Sequence, residues 1–375
     1  MKADINVKRL WGLIRKESLQ VIRDPSSIAI AFVMPIVLLF IFGYGVSLDA
    51  NNINVAVVTE QRGPQTQSFI SSFSNSPYFN VRLANDRREV ERDMVNGDIR
   101  AIVTLPSDFD RQTKRGEEAP IQVEIDGSDP NTAHLMRGYI EGAWQTWLIQ
   151  EQRAMGVKLK FPVEIEPRIW FNPEVLSRNF LVPGLISVIM TLIGTMLTAL
   201  VVAREWERGT MEALLATPVS VLELMIGKIT PYFVLGMAAM ALSVVMAVTL
   251  FNIPLRGSVF VLTGVSMIFL LASLAVGLFI STVARTQFVA GMAAIMTAFL
   301  PAFMLSGFVF EIGSMPLIVR IATHIVAASY FVPCLQSLFL AGDIPSVIWP
   351  NTLAMALLAT FFLGLTLLKT SNRLD

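Results

Sequence analysis

The sequence predicts a polytopic α-helical membrane protein: six transmembrane helices plus an α/β extracytoplasmic domain inserted between spans one and two. Three observations predict it. Hydrophobic residues make up 54% of the chain and charged residues only 15%, against about 25% charged in an average soluble protein. Seven charge-free stretches approach or exceed the roughly 20 residues that a helix needs to cross a hydrocarbon core. The longest charge-rich segment, Asp49–Arg178, has about 130 residues, enough for one compact domain with its own core.

Residues 1–27 read as an interfacial helix. Val7, Leu10, Trp11, Ile14, Val21 and Ile22 recur at helical spacing, while Lys8, Arg9, Arg15, Lys16 and Arg23 sit off that stripe. This is the pattern of a helix lying in the membrane plane. A positive-inside anchor would explain the charges but not an apolar stripe with its tryptophan. Asp24-Pro25 ends the helix, and Ser26-Ser27 lead into span one at residues 28–48. We expect no cleaved signal peptide, because a long charged segment precedes an apolar run too long for an h-region.

Residues 49–178 read as α/β. Strand-like runs are Ile53–Thr59, Phe79–Ala84, Ala101–Leu105 and Ile121–Asp126. Helical patterns lie between them at Gln65–Ser74, Arg87–Asn96 and Ser107–Arg115. A longer helix is expected over Asn131–Met155, started by Asp129-Pro130, with an extended piece at Val163–Phe171 returning the chain to the membrane. Asp126 and Asp129 in DGSDPN lack EF-hand spacing, and turn and N-cap chemistry explains them. The RREVERD run at Arg87–Asp93 is the solvated face of a helix with i,i+3 and i,i+4 pairs.

The remaining apolar stretches, within residues 179–375, are Asn179–Ala203, Ile229–Leu255, Gly257–Ala284, Thr286–Phe310, Ile321–Gly342 and Ile344–Lys369. Ile321–Gly342 carries His324, Ser329, Pro333, Gln336 and Ser337, which are costly against lipid because freed backbone groups find no water there. It reads as a broken helix at the outer interface or re-entering the bilayer; a seventh true span is the alternative. With six spans, the basic residues of the N-terminal segment, Arg204, Arg208, Lys228, Arg285, Lys369 and Arg373 fall on one side, which the positive-inside rule makes cytoplasmic. Both termini are therefore expected in the cytoplasm and residues 49–178 outside. A seventh span would move Lys369 and Arg373 outside, against that rule.

Arg204–Pro218, REWERGTMEALLATP, is a charged segment between two charge-free runs. Met211, Leu214 and Leu215 form one stripe, with Glu205, Arg208 and Glu212 opposite at i, i+3, i+7. Glu205–Arg208 and Arg208–Glu212 can pair along that face, each favouring helix by a few tenths of a kcal/mol. Gly209 is expected to mark a bend, and Thr217-Pro218 stops the helix. A docking helix and an ordinary solvated loop helix both fit this pattern.

Four blocks, RKESLQVIRDP (Arg15–Pro25), VVAREWERGTMEALLATPVS (Val201–Ser220), LSGFVF (Leu305–Phe310) and YFVPCLQSLFLAG (Tyr330–Gly342), resemble the membrane subunit of type-2 ABC exporters. More narrowly, the chain is similar to bacterial multidrug and antibiotic export permeases with a large periplasmic domain between spans one and two. The resemblance runs the length of the chain and is most specific in Arg204–Ser220. It implies an inner-membrane subunit that pairs with a second copy of itself or a paralogous permease and with a separate ABC ATPase that uses ATP and magnesium. A periplasmic adaptor protein is a further partner it allows. The N-terminal segment, marked by Trp11, Arg15, Lys16, Arg23 and Asp24, would be the interfacial connecting helix. Residues 204–218 would be the coupling helix, with Glu205, Glu207, Arg208, Gly209, Thr210 and Glu212 as the contact region and Arg204 and Thr217 bounding it. Residues 306–342 match the family's outer re-entrant hairpin.

Other chemistry is argued against. No G-x-x-x-x-G-K-[ST] occurs, so no cofactor is expected on this chain and the driving energy must come from another polypeptide. The lone Cys334 has no metal-binding neighbourhood, His134 and His324 lie far apart, and no catalytic or metal site is expected. Net charge is zero, which leaves no case for nucleic acid. The spans contain no ladder of charges of the kind that marks ion-coupled pumps.

For a translocation path, span two offers Ser187, Thr191, Thr195 and Thr198 on roughly one face. Such residues usually pack helices together, but a dimer interface in this kind of protein is also the path, so both roles stay open. Span five offers Met292, Met296, Phe299, Phe303 and Met304, an adaptable apolar surface that also suits packing or lipid. The expected function is export of amphipathic small molecules such as drugs or antibiotics. A permease for lipid or glycan precursors is the alternative. A membrane-anchored sensor or scaffold is a third reading, disfavoured because only short cytoplasmic loops are left for output.

Overall fold

The fold was analysed in a computed structural model, which describes residues 6–45, 52–154, 170–173, 176–210, 217, 219–284 and 286–371. The chain forms two units, one from residues 47–168 and one from residues 1–46 with 169–375.

The smaller unit is a four-stranded sheet with helices on both faces. Its elements run β1 (Ile53–Val58), α3 (Pro64–Ser74), β2 (Phe79–Ala84), α4 (Arg88–Val95), β3 (Ala101–Thr104), α5 (Phe109–Arg115), β4 (Gln122–Ile125) and α6 (Pro130–Ala154); α1 and α2 belong to the larger unit. The strand order is β2-β1-β3-β4, with β1 parallel to β2 and β3, and β4 antiparallel to β3. β1 is apolar at nearly every position because both of its faces are covered. Val55 and Val57 pack with Phe69, Phe73, Phe109, Met136 and Trp147 on one face. Ala56 and Val58 pack with Val90 and Ile99 on the other. Asp110 of α5 accepts hydrogen bonds from the Thr66 hydroxyl (2.6 Å) and the Gln65 amide (2.7 Å), capping the first turn of α3. In the DGSDPN turn, Asp126 accepts from the Ser128 amide (3.0 Å) and Arg100 (2.6 Å), and Asp129 from the Thr132 hydroxyl (2.5 Å). The expected extended piece at Val163–Phe171 lies, up to residue 169, outside the described residues.

The larger unit opens with α1 (Val7–Ile22), whose N-cap Asn6 side chain accepts from the Lys8 amide. Among the described residues, six helices long and apolar enough to cross a membrane follow: α2 (Pro25–Gly45), α7 (Ser177–Glu207), α8 (Val221–Thr249), α9 (Val259–Val283), α10 (Gln287–Leu305) and α13 (Pro345–Ser371). Between α10 and α13 lie α11 (Leu317–Thr323) and α12 (Ala328–Ala341), bent 80° from each other. The break falls at His324–Ala327, just ahead of the stretch that carries Pro333.

α7 is the centre of this unit. Of its most apolar stretch 89% is buried, against 17% for α13. Glycines set its contact with α9: a Cβ on Gly277 would strike the Thr195 carbonyl and the Thr198 hydroxyl, and one on Gly194 would lie 2.7 Å from the Ser273 Cβ. The two backbones therefore approach as closely as small residues allow. α12 is held by the α8–α9 loop: the Gly257 amide donates to the Leu338 carbonyl (2.7 Å), Arg256 to the Leu340 carbonyl (2.8 Å), and the Ser258 amide to Asp343 (2.9 Å). The first two donors occupy carbonyls at the end of α12 that helix geometry leaves unpaired, and the third holds the carboxylate just beyond it.

Candidate functional site: a buried ion-pair cluster at the end of α7

The charged segment anticipated from Arg204 onward is divided by the structure. α7 runs on to Glu207; Arg208 and Gly209 form a turn, with Gly209 at φ 69°, the left-handed conformation that glycine adopts without strain. The bend expected at Gly209 is thus the C-terminal stop of a long helix. Met211–Ala216 and Pro218 lie outside the described residues, and with them Glu212 and the stripe of Met211, Leu214 and Leu215.

Arg204 and Glu205 do not share a solvated face with Arg208. Both are buried, whereas Glu207, Arg208, Gly209 and Thr210 are exposed. The Lys228 ammonium of α8 donates to Glu205 and lies 3.5 Å from Glu17 of α1. Lys16, also on α1, reaches Glu17 at 3.0 Å and Glu205 at 3.2 Å. The two carboxylates and two ammonium groups alternate, so each charge has opposite charges as its nearest neighbours. Burial works against the charge of Lys16, yet Glu17 and Glu205 together raise its pKa. One Glu17 carboxylate oxygen, Oε2, is buried without a hydrogen-bond partner among the described residues.

A second pair lies alongside. Arg204 donates to Asp24 at 2.7 Å and to the Gln287 side chain at 3.2 Å. Burial would push the Asp24 carboxyl up, but hydrogen bonds from Arg204 and Ser27 outweigh it and hold the group below the usual carboxylate range. Glu207 accepts from the amide (2.9 Å) and side chain (3.1 Å) of Gln287 at the start of α10, where a negative charge also suits the helix dipole. The Ser281 hydroxyl of α9 accepts from the Ala203 amide at 2.9 Å. Asn6 and the first turn of α8 are joined through Glu223, which accepts from the amides of Asn6 (2.7 Å) and Ser220 (2.8 Å). The end of α7 is thus fastened by side chains to α1, to the start of α2, and to α8, α9 and α10. Removing one partner of a buried pair strands the other charge, which is why such clusters hold helix ends in one arrangement.

The sequence had marked Lys16, Asp24, Arg204 and Glu205 without joining them, and it missed Glu17, Gln287 and the pairing of Lys228. A signal for Glu17 exists. It continues the helical row Leu10, Ile14, Glu17, Val21, a carboxylate on an otherwise apolar face that calls for a buried cation. The apolar stripe of α1 itself divides: Val21 is buried and Leu10 and Ile14 half-buried, whereas Val7, Trp11 and Ile22 are exposed. Arg15 and Arg23 are exposed as well. Thr217 is described, but the stretch that links it to Thr210 is not.

The expected path residues do not share one surface. Ser187, Thr191, Thr195 and Thr198 are all buried within this unit. The Thr198 hydroxyl donates to the Leu274 carbonyl of α9 (2.8 Å), while those of Thr191 and Thr195 donate back to carbonyls of α7. In this arrangement they pack α7. Met292, Met296 and Met304 are exposed on α10, and Phe299 and Phe303 are half-buried, Phe303 against Phe42 and Phe308.

The family model for ABC-2 family transporter proteins matches residues 25–368. The chain belongs to the ABC-2 transporter family. It is 47% identical to the probable multidrug ABC transporter permease YbhS of Escherichia coli (strain K12), over 98% of each chain. It is 27% identical to the probable multidrug ABC transporter permease YbhR of the same strain, over 95% of this chain and 96% of that one. The inner membrane transport permease YhhJ is 26% identical over 84% of each. The chain is accordingly a multi-pass membrane subunit of an ABC-type transporter, not the ATPase. Membership of the ABC-2 family implies an ABC ATPase on a separate chain and a permease dimer.

Proposed function

We propose that this chain is the permease subunit of an ATP-driven exporter that moves amphipathic small molecules, such as drugs and antibiotics, out of the cytoplasm or the inner leaflet. The observation that carries the mechanism is the cluster of Glu205, Lys228, Glu17 and Lys16. It ties α1 and α8 to the last turns of α7, immediately before the exposed turn at Arg208 and Gly209. A displacement applied at residues 207–217 therefore reaches the central helix of the subunit and α1 together. The names of YbhS and YbhR support the drug class.

In this reading the chain sits in the bacterial inner membrane with both termini cytoplasmic, as the Lys/Arg distribution supports. The α/β domain faces the periplasm, where an adaptor protein would engage it, and residues 306–342 lie at the outer face. The partner ATPase uses ATP and magnesium; this chain binds neither. Glu207, Arg208, Gly209, Thr210, Glu212 and Thr217 form the docking region, while Arg204 and Glu205 transmit from behind it. Closure of two ATPase subunits turns the span bundles as rigid bodies and opens a path outward.

The test is ATP-dependent uptake of a hydrophobic dye into inverted vesicles holding the permease and its ATPase. Arg208 is exposed, so Arg208→Glu leaves the fold intact. It is expected to weaken ATPase capture roughly tenfold, the value of one charge-assisted hydrogen bond, and to lower uptake with it. Unchanged capture and uptake at equal expression would overturn the assignment.

A further inference from the structure

α1 presents three faces. Leu13, Glu17 and Val21 turn inward, with the Leu13 side chain against Gly227 of α8. Val7, Trp11 and Ile22 form an apolar flank, 76%, 67% and 69% exposed. The third face, Gly12, Arg15, Lys16, Leu19, Gln20 and Arg23, follows the i, i+3, i+4, i+7, i+8, i+11 spacing of one helix side and lines an open groove of about 530 Å³.

The basic residues of that groove differ in their commitments. Lys16 is shared with Glu17 and Glu205. The Arg15 and Arg23 side chains have no ion-pair or hydrogen-bond partner among the described residues. Two uncommitted guanidinium groups two helical turns apart, beside Lys16, are a recognition surface for a phosphate, which guanidinium binds through paired N–H donors. The apolar flank adjoins this face, and the apolar span of α2 begins at Pro25, two residues after Arg23. With α1 lying in the membrane plane, as its sequence pattern predicts, the groove would sit where acyl chains give way to headgroups. An acidic peptide from a soluble partner would satisfy the arginines but leave Val7, Trp11 and Ile22 in water.

We infer that the groove of Arg15, Lys16 and Arg23 holds the phosphate of an anionic membrane lipid whose headgroup carries no cation. A choline headgroup is disfavoured, since it would bring its own positive charge toward Arg15 and Arg23. The inference rests on α1 lying in the membrane plane, as its sequence pattern predicts. It does not depend on which way the chain is inserted or on what it transports.

The experiment uses the full chain in nanodiscs with equal phosphatidylglycerol and phosphatidylcholine in both leaflets, and native mass spectrometry of the lipids retained after release. The wild-type chain is expected to retain phosphatidylglycerol preferentially. Arg15→Gln with Arg23→Gln should lower that retention roughly 30-fold, the loss expected for two basic side chains at an anionic surface. Thermal stability should be unchanged, and Arg15→Lys with Arg23→Lys should keep most of the retention. Free inorganic phosphate should not displace the lipid. Equal phosphatidylglycerol retention by the glutamine variant, equal loss of both lipids, or displacement by free phosphate would overturn the inference. So would a glutamine variant that keeps its lipid but loses capture of the ATPase subunit, which would make the face a protein-docking surface.

Discussion

The buried Lys228 ammonium donates to the Glu205 carboxylate, joining α8 to the last turn of α7. Its second carboxylate neighbour, Glu17, lies 3.5 Å away on α1. A substitution here removes the cation from between two buried carboxylates. Lys228→Met is expected to destabilise the chain by about 3–5 kcal/mol, read as denaturant unfolding of the purified protein. Adding Glu205→Gln should recover part of that loss, because one stranded charge goes with it. A Lys228→Met chain as stable as wild type would mean that the cluster does not hold the helix ends together.

The Arg204–Asp24 pair makes an acid-side prediction. The folded-state pKa of Asp24 is lowered, so its contribution to stability is complete above the ordinary carboxylate pKa. It is lost as pH falls through the lowered folded value. Lys16 has the opposite sign: its pKa is raised, so its contribution is complete below the ordinary lysine value and fades as pH rises past it. Stability measured against pH should show both limbs. Asp24→Asn should reduce the acid limb, to which Asp110 and Asp126 also contribute, and leave the alkaline one; Lys16→Met should reduce only the alkaline one.

Gly277 tests the α7–α9 contact. A Cβ there meets the Thr195 carbonyl, which is backbone and cannot step aside. Gly277→Ala is expected to cost about 1–3 kcal/mol through overpacking. Gly264, on the same helix with nothing within 4 Å of its added Cβ, is the control, and Gly264→Ala should be neutral or slightly stabilising. Equal unfolding midpoints for the two variants would contradict close packing of α7 on α9.

In the sheet domain, Asp110 caps α3 from a neighbouring helix. Burial would raise its carboxyl, but bonds from Thr66 and Gln65 outweigh that and hold its pKa low. Asp110→Ala should cost about 1–2 kcal/mol, seen as faster amide exchange across Pro64–Ser74. Asp126 is lowered to about 2, chiefly by the Ser128 amide and hydroxyl and then by Arg100. An NMR titration should therefore find Asp126 still ionised at pH 3, and a midpoint near 4 would break the turn assignment.

Periodicity and charge were enough to locate the long apolar helices, the amphipathic N-terminal helix and the alternating strands and helices described in the smaller unit. The composition of Ile321–Gly342 also marked, locally, where a helix breaks. These features depend on what each residue does within a few turns of its neighbours: lipid and sheet cores demand apolar runs, and proline and glycine act on their own backbone. Partnership between distant segments is not written that way. A helical period places Glu205 and Arg208 one turn apart and suggests that they pair. Packing instead sends Glu205 inward to Lys228 and Lys16, because carboxylate and ammonium groups from three helices must neutralise one another where water is excluded. Packing likewise buried Ser187, Thr191, Thr195 and Thr198 within the unit, with Gly277 of α9 lying opposite Thr195 and Thr198. By itself the sequence determined which stretches are apolar enough to form long helices and that a charged segment breaks the apolar run after Ala203. Only the tertiary structure decided which of those charges are spent inside the protein and which, such as Arg15, Arg23 and Arg208, are left exposed for something else to meet.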